Sequence, residues 1–374
     1  MGALSKPPKT YVATDPKEDG VTGIFLESVP WKGKPTRVFA WYGVPATGGK
    51  KVPGMVLIHG GGGTAFAEWV RFWNRHGYAA VAMDTCGSIP RAVPGKGPYG
   101  LDRPRHELGG PPGWGGFDQI DAPLEDQWTY HAVASAILSH SFLRSQQGVD
   151  PKRIGLTGIS WGGYLTSIVG SVDQRFRFAA PVYGCGFLGE DSAWLPNFEK
   201  MGKEKAQKWL SLWDPSVYLP RARAPFLWVN GTNDFAYPMP SYQKSYRLPQ
   251  GPRTLAIRVR MPHGHPPGID PEEIRIFADS IFTKGKPLAR VVSQGVAGKQ
   301  AWATYKSSVP MAKAEINFTK DGGVWKERKW ETLPAQLDSA NRRAAADIPE
   351  GARVFYLNLF DSRGAVVSTE HVEQ

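Results

Sequence analysis

The sequence predicts an α/β fold with a mostly parallel, doubly wound sheet, followed by a small β-sandwich at the C-terminal end. Short apolar runs of strand length at residues 56–58, 154–156 and 226–229 are each followed by a turn that contains glycine, as in sheets whose strands alternate with helices. From about Val292 onward, alternating runs are joined by turn residues instead, which is typical of antiparallel strands. A chain of 374 residues is long enough for more than one such unit.

A glycine-flanked serine lies between one of these apolar runs and a helical pattern. The segment reads G-I-S-W-G-G at residues 158–163 and precedes the helical pattern at 164–169. The spacing is that of a nucleophile elbow, a strand-to-helix turn so tight that glycine must flank the serine. We therefore expect Ser160 to be a catalytic nucleophile at the end of a strand.

A second glycine-rich turn follows the first apolar run. It begins at His59 and continues with four glycines before a helical pattern from Thr64. In such a loop the backbone N–H groups of Gly61 and Gly62, together with that of Trp161, can hold the negative oxygen of a tetrahedral intermediate. A phosphate-binding loop is the weaker interpretation of these glycines, because no Lys-Ser/Thr pair follows them.

The remaining groups of a serine triad occur in the chain order that this architecture uses. Asp234 follows the apolar strand at 226–230 and can orient an imidazole, although an aspartate at this place is also typical of a turn. A period-two strand at 255–261 leads into a loop with two histidines, His263 and His265. We favour His265 as the general base because it lies nearer the middle of the loop, and we keep His263 as the alternative. A His-x-His metal pair is disfavoured because no acidic or cysteine cluster completes it, so we predict no metal and no cofactor.

Two long insertions separate these motifs. Residues 85–123 are rich in glycine and proline and leave a strand at the edge where Ser160 is expected, so we predict that they roof the pocket. Residues 184–222 are rich in tryptophan and lysine and predict a helical lid. The candidate substrate contacts in and beside the first insertion are Arg103, Arg105, His106, Trp114 and Trp128.

Changes of pattern also predict the domain organisation. Three parts are expected, an N-terminal extension, an α/β domain with both insertions, and a β-sandwich of the immunoglobulin or fibronectin-III-like kind, at residues 1–34, 35–291 and 292–374 respectively. In the last part, residues 314–319 and 324–330 predict one hairpin, and residues 354–360 and 365–370 predict another. We expect this β domain to pack against the first domain.

Charge and hydropathy disfavour several other classes of protein. The formal net charge is +11, but lysine and arginine are scattered rather than gathered into one stripe, so we predict no nucleic-acid partner. No run is long and apolar enough to span a membrane. The first residues lack the basic region and apolar core of a signal peptide, so we expect a soluble protein and leave a periplasmic or secreted location open. Cys86 and Cys185 are expected to be buried free thiols, with a disulfide as the alternative.

On these motifs the chain resembles the α/β-hydrolases of the dienelactone hydrolase, acetyl xylan esterase and prolyl-oligopeptidase-like group. The resemblance rests on the V-D-P-K-R-I run before the serine turn, the glycine loop, the G-T-N-D turn and the H-G-H loop, and it covers most of residues 35–282. It implies a serine esterase that works through an acyl-enzyme, with a small-molecule or polysaccharide ester of short acyl chain as substrate. Dienelactone hydrolases themselves use a cysteine nucleophile, which disfavours their ring-opening substrates. The alternatives are a prolyl-oligopeptidase-like peptidase and a glycan-binding protein with a degenerate esterase fold.

Overall fold

The computed structural model describes residues 2–46 and 48–374. Its first eleven strands, in chain order, are β1 Thr10–Val12, β2 Thr22–Trp31, β3 Lys34–Gly43, β4 Val52–Ile58, β5 Ala79–Met83, β6 Arg91–Ala92, β7 Leu101–Asp102, β8 Val149–Ile159, β9 Ala179–Val182, β10 Phe226–Gly231 and β11 Arg253–Arg258. Nine of them form one sheet in the order β1-β2-β3-β5-β4-β8-β9-β10-β11, and β6 pairs with β7 in a separate ribbon.

The sheet is antiparallel at one side and parallel over the rest. The strands β1, β2, β3 and β5 pair antiparallel in that order, whereas β5, β4, β8, β9, β10 and β11 pair parallel. Every residue of β4, β5 and β10 is buried, which explains why these strands read as unbroken apolar runs rather than alternating ones. The predicted α/β fold class is confirmed.

Eight α-helices accompany the strands in the part of the chain that the structure describes. They are α1 Ala67–Arg75, α2 Trp128–Ser145, α3 Trp161–Val172, α4 Leu195–Met201, α5 Lys203–Trp213, α6 Met239–Tyr246, α7 His265–Ile269 and α8 Glu272–Phe282. The central helices α2 and α3 contact each other and the strand β8 between them in sequence. None of the helices described is both long and apolar enough to cross a membrane.

The N-terminal residues belong to the first sheet. Residues 10–31, which the sequence analysis set apart as an extension, contribute β1 and β2. Sequence analysis missed β2 because buried and exposed residues do not alternate regularly along it and many of its residues are half-exposed. The first domain therefore begins well before residue 35.

Eight more strands form an antiparallel β domain at the C-terminal end, as predicted. They are β12 Arg290–Ala297, β13 Gln300–Lys306, β14 Met311–Thr319, β15 Glu331–Asp338, β16 Arg343–Asp347, β17 Val354–Asp361, β18 Val366–Ser368 and β19 Val372–Glu373. They follow one continuous path, β12-β13-β16-β15-β14-β17-β18, with β19 beside β17. The sheet curls, so that β13 and β17 also contact each other.

One of the two predicted hairpins is present as predicted, and the other has a different second strand. Strands β17 and β18 pair as expected. Residues 324–330, however, are a loop with one 3-10 turn at Trp325–Glu327, and the partner of β14 begins only at Glu331. The loop is closed by its own hydrogen bonds, because Asp321 accepts from the Lys329 N–H at 2.6 Å and the Arg328 guanidinium donates to the Gly323 carbonyl.

The β domain covers the open edge of β11. The Ile257 N–H donates to the Ser368 hydroxyl at 2.8 Å, and the Ile257 carbonyl accepts from the Asn358 amide at 3.0 Å. Nearby, the buried Glu273 accepts from the Arg258 guanidinium and from the Val366 N–H. Unpaired edge groups of the first sheet are thereby satisfied by the second domain.

Candidate active site

The serine of the glycine-flanked turn adopts a backbone conformation that serine rarely has. Ser160 lies between β8 and α3 with φ 57° and ψ −118°. A Cβ on Gly158 would lie 2.3 Å from the Gly162 carbonyl oxygen, and one on Gly162 would lie 2.0 Å from the Ile58 carbonyl oxygen. Only glycine fits at both positions, and the crowded backbone around them holds the strained serine at the C-terminal end of its strand.

Three side chains form a continuous line of hydrogen bonds. The His263 Nε2 atom lies 2.9 Å from the Ser160 hydroxyl, and its Nδ1 atom lies 2.7 Å from the Asp234 carboxylate. The other oxygen of the buried Asp234 carboxylate accepts from the N–H groups of Ala236 and Tyr237. A carboxylate fixed in this way holds the imidazole proton on Nδ1, which leaves Nε2 free to accept the serine proton.

Two aromatic rings hold the imidazole of His263 in place. The Tyr183 ring lies 4.4 Å and the Phe235 ring 4.7 Å from it, measured between ring centroids. The Tyr183 hydroxyl also donates to the Gly264 carbonyl, which fixes the backbone beside the histidine. Sequence analysis singled out neither aromatic residue. Tyr183 directly follows β9 and Phe235 is next to Asp234, and these two positions are the signal that could have identified them.

His265, which the sequence analysis favoured as the base, does not lie against the nucleophile. His265 is the first residue of α7, and its Nε2 atom accepts a hydrogen bond from the Gly60 N–H at 2.9 Å rather than facing Ser160. Burial lowers the pKa of His265 to about 3, and the positive charge of the nearby Arg103 acts in the same direction. The ring is therefore neutral near pH 7 and engaged with the glycine loop.

The glycine loop lies directly against the nucleophile. A Cβ on Gly60 would lie 2.9 Å from the Cβ of Ser160, and one on Gly61 would lie 2.9 Å from the Trp161 ring. Among the described residues, the N–H groups of Gly61, Gly62 and Trp161 donate to no protein acceptor, whereas those of Gly60 and Gly63 are both used. The free donors are those that sequence analysis named for an oxyanion.

Of the five predicted substrate contacts, three line a cavity beside this loop. The cavity has a volume of about 290 Å³ and is bounded by Gly63, Arg103, Arg105 and Trp114, among others. The Arg103 guanidinium lies 5.0 Å from the centre of the Trp114 ring and hydrogen-bonds to no residue that the structure describes. Arg105 is different, because its guanidinium donates to the Cys86 and Gly110 carbonyls and so ties the insertion together.

The other two predicted contacts lie away from the cavity. Trp128 is fully buried and donates its indole N–H to the Thr85 carbonyl at 2.8 Å, so it is a core residue at the start of α2. The His106 ring packs edge-on against Phe25 of β2, 5.1 Å between centroids. Neither residue is placed to contact a substrate in that cavity, because Trp128 is in the core at the start of α2 and the insertion folds back so that His106 packs on β2.

Neither cysteine offers a second nucleophile. Cys86 and Cys185 are free, buried thiols, and burial raises the pKa of each well above its usual range. In residues 2–46 and 48–374 no three histidine, cysteine or acidic side chains come together as metal ligands would.

Comparison with known proteins places these features in a family context. The model of the acetyl xylan esterase family (AXE1) matches residues 28–190, which include the glycine loop and Ser160. The model of the prolyl oligopeptidase family matches residues 122–273, which include Ser160, Asp234 and His263.

Solved structures share the fold at low identity. The acetyl xylan esterase from Paenibacillus sp. R4 has a TM-score of 0.59 at 22% identity, over 75% of this chain and 92% of that one. Acetyl xylan esterase 1 from Thermoanaerobacterium sp. JW/SL YS485 has a TM-score of 0.53 at 17% identity, over 69% and 84% of the two chains. An acylaminoacyl peptidase from Pyrococcus horikoshii has a TM-score of 0.51 at 19% identity, over 71% of this chain but 43% of that one.

The fold is that of the α/β-hydrolases, and parts of the chain match the models of the acetyl xylan esterase and prolyl oligopeptidase families, as its motifs suggested. Family matches and fold together indicate a serine hydrolase.

Proposed function

We propose that the chain hydrolyses carboxylic esters through an acyl-enzyme formed on Ser160. The observation that carries the proposal is the unbroken line of hydrogen bonds from Ser160 through His263 to the buried Asp234. Such a line is what a neutral hydroxyl needs to become a nucleophile near pH 7.

Each step follows from the atoms in this line. The Ser160 oxygen bonds to the ester carbonyl carbon while His263 Nε2 takes its proton, and the N–H groups of Gly61, Gly62 and Trp161 bind the resulting oxyanion. His263 then gives the proton to the leaving alcohol oxygen as the C–O bond breaks. Water then attacks the acyl-enzyme and loses a proton to His263 Nε2. The acid is released as the bond to the Ser160 oxygen breaks, and the proton returns to that oxygen.

A short acyl group on a carbohydrate is the substrate that we infer. The match of the acetyl xylan esterase model over both the glycine loop and the serine turn supports this choice. Packing beside the nucleophile supports it as well. The Trp161 ring lies 4.5 Å from the Trp194 ring, measured between centroids, and a long acyl chain would have to displace packed side chains of this kind. Arg103 and Trp114 are the proposed substrate contacts.

Peptide hydrolysis is the second candidate, supported by the prolyl oligopeptidase model that spans all three triad positions. The two candidates make different demands on the substrate. An esterase of this kind should cleave 4-nitrophenyl acetate and acetylated xylan, and should leave an aminoacyl-proline nitroanilide intact.

Steady-state kinetics on one enzyme preparation test the proposal. We expect kcat/KM to fall by about tenfold or more from the acetyl to the octanoyl ester of 4-nitrophenol, because added methylenes must displace packed side chains. A steady rise toward octanoyl would overturn the short-acyl assignment in favour of a general carboxylesterase. Efficient cleavage of the nitroanilide with poor ester turnover would overturn the esterase assignment in favour of a peptidase.

A further inference from the structure

A cavity lies where the acid-bearing loop, the second insertion and the β domain meet. Its volume is about 410 Å³, within the range of small-molecule sites. The loop after β10 lines it with Asp234, Phe235 and Pro238, the insertion with residues 191–193, 195 and 196, and the β domain with residues 324–326.

The cavity is connected to the reacting groups through one ring. Phe235, which is 53% exposed, lies 4.7 Å from the His263 ring and also lines the cavity. In the proposed reaction, His263 Nε2 gives its proton to the leaving alcohol, so the alcohol part of the ester must lie on the side of this histidine. The cavity beside Gly63 and Arg103 lies instead along the glycine loop.

The β-domain wall of the cavity is fixed to the loop that bears the acid. The Asn233 amide, next to Asp234, donates to the Arg328 carbonyl at 2.7 Å and to the Lys326 carbonyl at 3.1 Å. The Arg328 guanidinium lies 3.8 Å above the Trp325 ring. This turn is therefore held in register with the triad, as a preformed binding surface requires.

The chemistry of the walls indicates the kind of group that fits. Leu195, Phe235 and Val324 are large apolar side chains left 39%, 53% and 54% exposed, yet all three line this one cavity. Clustered exposed apolar surface of this kind marks a binding site. The charged residues Asp191 and Lys326 lie in the same walls. A sugar ring, with an apolar face and a polar edge, matches both features.

We infer that the C-terminal β domain forms part of the substrate site, and that Val324 and Lys326 bind the sugar ring that leaves as the alcohol. The inference rests on the proposed esterase activity and names the place where its leaving group lies. The sequence analysis had expected the β domain to pack against the first domain.

Paired substrates and a matched control test the inference. The substrates are methyl acetate, which has no ring, and fully acetylated methyl xylopyranoside. The variants are Val324→Glu and Lys326→Ala, and the control is Val296→Glu on β12, an exposed valine of the same domain outside this cavity. Unfolding midpoints of all proteins are measured alongside.

We expect Val324→Glu to lower kcat/KM on the xyloside by about tenfold or more, the size of a lost apolar contact in a binding pocket, and to leave methyl acetate turnover nearly unchanged. Lys326→Ala should also lower kcat/KM on the xyloside relative to kcat/KM on methyl acetate. Val296→Glu should leave this relative value as in the wild type. The inference would be overturned if both cavity variants kept the wild-type kcat/KM on the xyloside, or if their kcat/KM fell equally on both esters. Failure of the esterase proposal is distinct, because it would appear as wild-type protein that does not turn over methyl acetate.

Discussion

His265 accepts a hydrogen bond from the backbone N–H of Gly60, so its ring serves the glycine loop and not the nucleophile. On the other side of the same glycine, the Gly60 carbonyl accepts from His59 Nδ1 at 2.8 Å. The buried imidazole of His59 and the half-buried imidazole of His265 thus hold Gly60 against Ser160, while His263 contacts Ser160 itself. His265 is on this account a positioning residue for the oxyanion site.

The two histidines of the H-G-H loop should respond differently to replacement. His263→Ala removes the base, so we expect kcat on 4-nitrophenyl acetate to fall by about a thousandfold or more. His265→Ala leaves the Gly60 N–H without an acceptor, a cost of about 1–3 kcal/mol that corresponds to a loss in kcat of roughly 5- to 150-fold. His265→Gln, whose side-chain carbonyl can accept the same bond, should recover part of that loss. A larger loss of kcat in His265→Ala than in His263→Ala would reverse the assignment.

The depressed pKa of His265 makes stability depend on pH in a defined window. The folded protein keeps this ring neutral down to about pH 3, whereas the unfolded chain protonates it near its ordinary value of 6.5. Because the unfolded state binds the extra proton between these values, the neutral ring costs stability progressively as pH falls from 6.5 toward 3. Unfolding midpoints measured at several pH values in this window should fall more steeply for the wild type than for His265→Gln. Parallel pH dependence in the two proteins would contradict the assignment.

Arg103 should contribute to binding rather than to the chemical step. Its guanidinium faces the cavity beside the glycine loop without a hydrogen-bond partner among the residues described, so a substrate oxygen can take that place. We expect Arg103→Gln to raise KM for acetylated xylo-oligosaccharides by roughly tenfold, the size of one hydrogen bond to a charged group, with a smaller change in kcat. Arg37→Gln is the control, since that guanidinium stacks 3.6 Å over Tyr11 at the far edge of the sheet. Equal effects of the two changes would remove Arg103 from the substrate site.

The serine turn and the glycine loop could be predicted because each depends on local backbone that only glycine allows. The clashes that a Cβ would make at Gly158 and Gly162 are the physical content of that motif. The choice between His263 and His265 could not be made in this way. It depends on how the ends of β10 and β11 meet and on α7 beginning at His265, which no local pattern reports.

Substrate contacts were the least predictable part of the site. Nothing in the local sequence distinguishes the roles of Trp128 and Trp114. Trp128 donates its indole N–H to the Thr85 carbonyl in the core, whereas Trp114 lines a cavity. The segment at 324–330 was predicted as a strand because its residues alternate, whereas its own hydrogen bonds and those of Asn233 fold it into a loop near the triad. Such roles follow from tertiary contacts between distant segments.

The central claim is that Ser160 becomes covalently bonded during turnover with His263 as its base, and trapping with a 4-nitrophenyl alkylphosphonate tests it most directly. The Ser160 oxygen should displace 4-nitrophenolate from phosphorus, and the intact protein should gain one phosphonyl group, mapped by peptide mass spectrometry to the segment that contains residues 158–163. We expect no labelling of Ser160→Ala and labelling slowed by about a thousandfold in His263→Ala, with Ser211→Ala, a serine of α5, reacting like the wild type. A phosphonyl group on another residue, or equal labelling of wild type and Ser160→Ala, would contradict the account.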